Sequence, residues 1–288
     1  HKEFIAQYRT NNYMRRTDDV IWLWAAGELA ERADDEPTWQ WVYETGVECF
    51  NTFYAPFFDE DDGLYCGPAA FVDVAWPDGH VSGYPVGCNI ADCVLLKALS
   101  TNCIYARALE VMARAAQATF RPDEAGQWQA LADDLAEAIR TGLRRENGTF
   151  AYYKDRHGQL SDRRDALGSA LAVLLGIVKG EEAGAALAGY PMTDRGAPLF
   201  YPFYPVDQFY HNNSAWPFVD AFFLGALQEA TGRDTTARQM AVVGRTCRDE
   251  GGFREITNFR TGEPSHSEHQ LWSAAGFVDA CYRAGLVD

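Results

Sequence analysis

The sequence predicts an all-α fold, an (α/α)6 barrel-like ring of helical hairpins with one small β-hairpin near residues 149–160. Three observations carry this prediction. Apolar residues recur at helical spacing along most of the chain; the helices come in pairs divided by short breakers; and no strand–helix alternation of the kind that builds a parallel sheet is present. A single helical domain over 1–288 is expected.

The first helix is expected from Asp18 to Ala33, where Ile21, Trp22, Trp24, Ala25, Leu29 and Ala33 recur at near-helical spacing and Thr17 stands as N-cap. A second, Thr38 to Phe53, follows the break Asp34-Asp35-Glu36-Pro37. The next pair runs over 101–118 and 123–144, divided by Phe120-Arg121-Pro122, because proline is tolerated in a first turn and not in a helix interior. Further helices are expected at Asp165–Val178, Asn213–Ala230, Thr235–Asp249 and Glu268–Ala284. The strand signal Thr149–Lys154 follows Asn147-Gly148, and Arg156-His157-Gly158 turns it into a hairpin. The helices fall short of the twelve that six hairpins need, so the ring is incomplete or one hairpin hides within 1–15 and 89–99. An open solenoid is the competing architecture, and the lack of a fixed-period repeat counts against it. The Pro/Gly-rich stretches 59–88, 190–210 and 250–267 carry many aromatic side chains and are expected as ordered loops gathered at one mouth.

Composition narrows the function. The net charge of −16 opposes a nucleic-acid partner, whose affinity rests on Lys and Arg, and disfavours a polyanionic substrate. Apolar runs are broken well before the ~20 residues of a membrane span. No charged leader with an apolar stretch opens the chain, so a cytoplasmic location is expected. The seven cysteines lack regular spacing and read as reduced residues in or near a core. Aromatic residues make up 14% of the chain, an excess that suits the apolar C–H faces and polar rims of sugar rings.

Four segments concentrate the candidate chemistry. They are Arg16-Thr-Asp18-Asp19-Val-Ile-Trp22; Asp62-Gly-Leu-Tyr-Cys-Gly-Pro-Ala-Ala-Phe-Val-Asp73 with Gly83-Tyr84-Pro85; Tyr210-His211-Asn212-Asn-Ser-Ala-Trp216-Pro217; and Glu255-Ile-Thr-Asn-Phe-Arg-Thr-Gly262 with Ser267-Glu-His-Gln270-Leu-Trp272-Ser-Ala-Ala. In that order they resemble motifs of glycoside hydrolase family 63 and related six-hairpin glycosidases. The last is similar to a Glu-x-x-x-x-x-Thr-Gly pattern followed by Gln or Phe and Trp-Ser/Thr-Ala. It departs from the family at Asn258-Phe259-Arg260, where Tyr-x-Pro is usual.

The resemblance implies an inverting glycoside hydrolase, exo-acting on an α-linked glycoside or oligosaccharide, with no cofactor. Glu255 matches the general base. Asp73, between Phe71 and Trp76, matches the acid loop, where aromatic burial would favour the protonated form. Arg254 is expected beside Glu255, favouring a carboxylate. Asp18, Asp19, Trp22, Tyr84, His211, Asn212, Trp216, Gln270 and Trp272 are expected to line the sugar pocket. Inversion requires the two carboxyls ~6.5–9.5 Å apart, with room for the attacking water.

Each nomination has a plainer reading. Asp18 and Asp19 can serve a helix N-terminus; Asp73 and Asp78 can fix turns; Glu255 can be a solvated loop carboxylate; Trp216 and Trp272 can be core, and His211 a satisfied polar residue. His266-x-x-His269 with Glu268 lacks the His-Glu-x-x-His spacing of a helical zinc site, so no metal is expected. No Gly-x-Ser-x-Gly elbow or nucleotide loop is present. A sugar epimerase working through paired histidines, and a non-catalytic carbohydrate-binding barrel, are the alternatives.

Overall fold

The computed structural model describes residues 16–72, 81–205, 209–247 and 252–287. The chain forms two compact units, residues 1–73 with 89–144 and 153–160, and residues 74–88 with 145–152 and 161–288.

In the first unit, α1 (Arg16–Ala33) and α2 (Glu36–Cys49) form a hairpin. Thr17 lies inside α1, so the expectation that it caps the helix is corrected. The break between the helices works as anticipated. Asp34 takes a left-handed backbone (φ 49°), and the Asp35 side chain caps α2 by accepting from the Thr38 N–H at 2.7 Å. Past Cys49 the helix widens into a π turn over Phe50–Tyr54.

Short strands β1 (Phe58–Asp59) and β2 (Leu64–Tyr65) form a ribbon, followed by α3 (Ile90–Cys93) and β3 (Lys97–Ala98). Then α4 (Leu99–Ala118) and α5 (Pro122–Gly142) make the long hairpin the sequence indicates. α4 is buried nearly throughout because α1, α2 and α5 all pack on it. α5 buries one stripe, Ala125, Ala132, Leu135 and Ile139, and leaves its charges outside. At Gly27 a Cβ would sit 2.7 Å from a Val111 methyl, so this glycine lets α1 approach α4 closely.

The β-hairpin expected over 149–160 is present, Lys154 bridging Leu160 antiparallel. Its turn forms, with Asp155 N–H donating to the Gln159 carbonyl at 2.9 Å. Its strand β4 (Tyr153–Lys154) also pairs antiparallel with β3 on its other edge. Two residues ahead of a helix carry no strand signal, so this partner was not legible.

In the second unit, β5 (Arg164–Asp165) leads into the buried helix α6 (Ala166–Leu174), capped by the Asp165 carboxylate on the Gly168 N–H at 2.9 Å. Gly176, with φ 74°, follows its end, which shortens the expected 165–178 helix. α7 (Glu181–Leu187) was not anticipated. β6 (Phe200–Tyr201) pairs with β5. β7 (Ser214–Ala215) precedes α8 (Pro217–Thr231) and α9 (Thr236–Gly244). β8 (Ile256–Asn258) and β9 (Pro264–Ser265) precede α10 (Leu271–Arg283). α8 begins later than expected because Ser214 and Ala215 are taken into a three-stranded sheet, β7-β8-β9. α10 likewise starts at Leu271 rather than Glu268. The helices α8, α9 and α10 pack on one another, and α6 packs on α8.

All seven cysteines are thiols. Cys49, Cys93 and Cys103 are buried, whereas Cys247 is exposed, against the expectation that all lie in or near a core. Among the described residues no helix is long and apolar enough to cross a membrane.

Candidate active site

Glu255 stands in the second unit, where two loops run side by side. One is the 209–216 segment entering α8, and the other is the 252–270 segment entering α10. Pairing of β7 with β8 couples them, with Ser214 opposite Asn258 and Ala215 opposite Thr257. The β8–β9 turn is closed by Asn258, whose side chain accepts from the Arg260 and Thr261 N–H groups at 2.9 and 3.0 Å. The departure from the family's Tyr-x-Pro therefore falls at a side-chain-capped turn. Gly252 allows the two ends of this loop to meet: a Cβ there would lie 2.7 Å from His269 Nδ1.

The half-buried Glu255 carboxyl receives donors on both oxygens. The Tyr210 hydroxyl donates to Oε1 at 3.0 Å; the Ser267 N–H and hydroxyl donate to Oε2 at 3.3 and 3.1 Å. The Glu255 N–H in turn donates to the Ser267 carbonyl at 3.1 Å. Arg254 is turned elsewhere. Its guanidinium pairs with Glu268 at 2.8 Å and donates to the His266 carbonyl at 3.1 Å, which corrects the expectation that it sits against Glu255.

An aromatic cluster surrounds Tyr210. Its ring centroid lies 4.6 Å from His211, 5.2 Å from Trp216 and 5.0 Å from His266, and Phe209 lies 5.6 Å from His266. His211 is fully buried and stacked on Trp216 at 5.3 Å, and burial pushes its pKa down to about 3. Burial favours its neutral form, packed against Trp216 and hydrogen-bonded to the Ser82 backbone. Trp216 is also buried, donating from Nε1 to the Ser214 hydroxyl at 3.1 Å. Asn212 clamps the backbone of Tyr204, accepting from its N–H at 3.0 Å and donating to its carbonyl at 3.1 Å.

The other nominated residues are placed as follows. Gln270 starts α10, its N–H donating to the Phe253 carbonyl at 2.8 Å. Trp272, 47% exposed, packs edge-on against Phe218 and lines a cavity of about 650 Å³ with Leu174, Phe222 and Gly276; Glu255 is not in that lining. Tyr84 is buried and stacked on Tyr152 at 5.7 Å. In the first unit, Trp22 is buried, donating from Nε1 to the Tyr54 hydroxyl at 3.0 Å. Asp18 and Asp19 fall in the first turns of α1, and their side chains lie outside the described residues, as does the whole of Asp73.

The structure thus brings Glu255, His211 and Trp216 together around Tyr210. Tyr210 and Ser267 were not nominated, although both lie inside the quoted motifs. No spacing rule announces a hydroxyl that meets a carboxylate 45 residues away. His266 and His269 do not converge on a third ligand, and among the described residues no three His, Cys, Asp or Glu side chains form a metal-holding group.

A family profile described as the mannosylglycerate hydrolase MGH1-like glycoside hydrolase domain matches residues 87–273. The structure is similar to that of the GH63 mannosylglycerate hydrolase from Thermus thermophilus, solved in complex with Tris and D-glycerate. The TM-score is 0.68 at 16% identity, covering 92% of this chain and 77% of that one. It is similar to neutral trehalase Nth1 from Saccharomyces cerevisiae, with a TM-score of 0.63 at 12% identity, covering 84% of this chain and 56% of that one. A GH78 family rhamnosidase of Bacillus sp. GL1 gives a TM-score of 0.60 at 20% identity, covering 91% of this chain and 26% of that one. The chain spans about half the length of the trehalase and about a quarter of the rhamnosidase. A comparison with curated protein sequences finds no match. These likenesses show the fold class, mostly helical and barrel-like with small β-ribbons. The chain belongs to the mannosylglycerate hydrolase MGH1-like glycoside hydrolase domain family.

Proposed function

We propose that this member of the MGH1-like family hydrolyses a short α-linked glycoside from its end, with inversion, using Glu255 as general base and Asp73 as general acid. The observation that carries the reading is the Glu255 carboxyl. Within the family-matched segment, both its oxygens are gripped by hydrogen-bond donors in an aromatic setting. A carboxyl held only by donors is oriented as an acceptor, which is what drawing a proton from an attacking water requires. Asp73 is assigned from its place in the acid-loop motif. The net charge of −16 favours a neutral or singly charged sugar derivative over a polyanion. No step requires a cofactor.

The epimerase alternative loses support here. Its leading histidine, His211, is buried against Trp216.

The test is a panel of aryl α- and β-glycosides and short oligosaccharides, with NMR on the first anomer released. A β-anomer from an α-glycoside is expected. Release of the α-anomer would show retention and overturn the assignment of Glu255 as a water-activating base. Asp73→Asn should spare substrates with good leaving groups, where acid assistance matters least. Equal loss on good and poor leaving groups would remove Asp73 as the acid.

A further inference from the structure

We infer that Tyr210 and Ser267 are positioning residues for the hydrolytic step, and that they leave Oε1 as the Glu255 oxygen that takes the proton from water. This rests on the assignment of Glu255 as the base.

A carboxylate oxygen has two lone pairs to offer. Among the described residues, Oε2 accepts two hydrogen bonds, from the Ser267 N–H and hydroxyl, and is filled. Oε1 accepts one, from Tyr210, and keeps one lone pair open. In the step this implies, the water oxygen bonds to the anomeric carbon while one of its protons passes to Oε1. The glycosidic C–O bond breaks as the acid's proton joins the leaving oxygen. Protons and electron pairs balance without any further reactant.

The grip is stiff. Tyr210 cannot swing its hydroxyl freely, because His211, Trp216 and His266 stand around its ring at 4.6, 5.2 and 5.0 Å. Ser267 is tied to Glu255 in both directions, since the Glu255 N–H donates to the Ser267 carbonyl at 3.1 Å. The preceding residue, His266, takes a left-handed backbone at φ 66°, a conformation non-glycine residues enter rarely and hold only when their surroundings impose it. Here the surroundings are the Arg254 guanidinium on the His266 carbonyl and the Phe209 and Tyr210 rings beside the imidazole. Productive general-base geometry tolerates only about 0.5 Å and 10–20° of error, so such a grip bears directly on rate.

The experiment uses the full chain and the 4-nitrophenyl and phenyl forms of whichever α-glycoside the panel shows to be hydrolysed. Tyr210→Phe should lower kcat by about 10–100-fold, within the range set by loss of general-base alignment. KM should stay within about twofold, and the loss should be equal for both leaving groups, because a misaimed base slows water attack on either. Ser267→Ala should lose about 3–10-fold in kcat and Ser267→Thr should restore most of it, since threonine keeps the hydroxyl. Added to Glu255→Gln, Tyr210→Phe should cause no further loss, because residues acting through one group are non-additive. A Tyr210→Phe enzyme with unchanged kcat, a change confined to KM, or losses that multiply with Glu255→Gln would each overturn the inference while leaving Glu255 as base. Full activity of Glu255→Gln would remove both readings. If either single variant fails to fold, the other carries the test.

Discussion

Asn102 and Asn212 are buried carboxamides that do the same work in two different settings. Asn102, in the first turn of α4, accepts from the Tyr65 N–H at 2.7 Å and donates to the Tyr65 carbonyl at 3.0 Å. Asn212, in the loop before α8, makes the equivalent pair of bonds to Tyr204, at 3.0 and 3.1 Å. Each side chain stands in for a neighbouring strand and satisfies the backbone of a buried tyrosine. The surroundings differ. Asn102 also donates to the Ala98 carbonyl at 2.9 Å, and Tyr65 stacks on Tyr105 at 3.8 Å above a helix packed on several sides. Asn212 sits two residues from Tyr210, in a segment whose order comes from such side-chain clamps and a two-residue strand. The lesson is that one device can serve scaffold or chemistry, depending on what lies next to it along the chain.

The largest effect should come at Glu255. Glu255→Gln is expected to reduce kcat by about 10²–10⁴-fold on every substrate, the usual worth of a general base, while thermal unfolding stays near that of the parent. Steady-state kinetics beside a melting curve would check it, and retained activity would end the contrast between scaffold and chemistry.

Asn102→Ala comes next. It leaves the buried N–H and carbonyl of Tyr65 without their partner, and each stranded group costs about 1–3 kcal/mol. Denaturant unfolding should therefore show a loss of about 2–4 kcal/mol, with kcat of the folded fraction unchanged. A large fall in kcat at intact stability would break the assignment of this region to scaffold.

Asn212→Ala should read the opposite way. Its stability loss should be smaller, about 1–3 kcal/mol, because a loop can relax toward water more easily than a helix-packed ribbon. Its kcat should fall by about tenfold through Tyr210, a smaller effect than loss of the base itself. Equal activity in the parent and Asn212→Ala enzymes would show that Tyr210 is held by its aromatic neighbours alone.

The last effect concerns pH and is nil at pH 7. His211 is depressed to about 3 by burial, against about 6.5 in an unfolded chain, so between those values the unfolded state binds the extra proton. Its neutral form contributes stability in full above pH 6.5, and this is lost as pH falls toward 3. Replacing it with Phe should flatten the decline by about 1.4 kcal/mol per pH unit below pH 6.5. Urea titrations of both proteins at pH 7, 6 and 5 would measure it. Parallel curves would mean that His211 is protonated in the folded protein and is not held neutral by burial.

The helical class, a long hairpin broken at Phe120-Arg121-Pro122, the break at Asp34-Asp35-Glu36-Pro37 and the position of Glu255 within a recognisable motif were all determined by the sequence itself. These are local matters: helical periodicity, caps and breakers act over a few residues, and a motif travels with its own segment. Only the tertiary structure decided that β4 pairs with β3, that Arg254 turns to Glu268, and that Tyr210 and Ser267 hold Glu255. Two-residue strands carry too little pattern to name a partner, and an arginine next to a carboxylate in sequence points wherever its backbone aims it. A hydroxyl meets a carboxyl across 45 residues only because β7 and β8 lie side by side and a crowd of rings leaves Tyr210 no other direction.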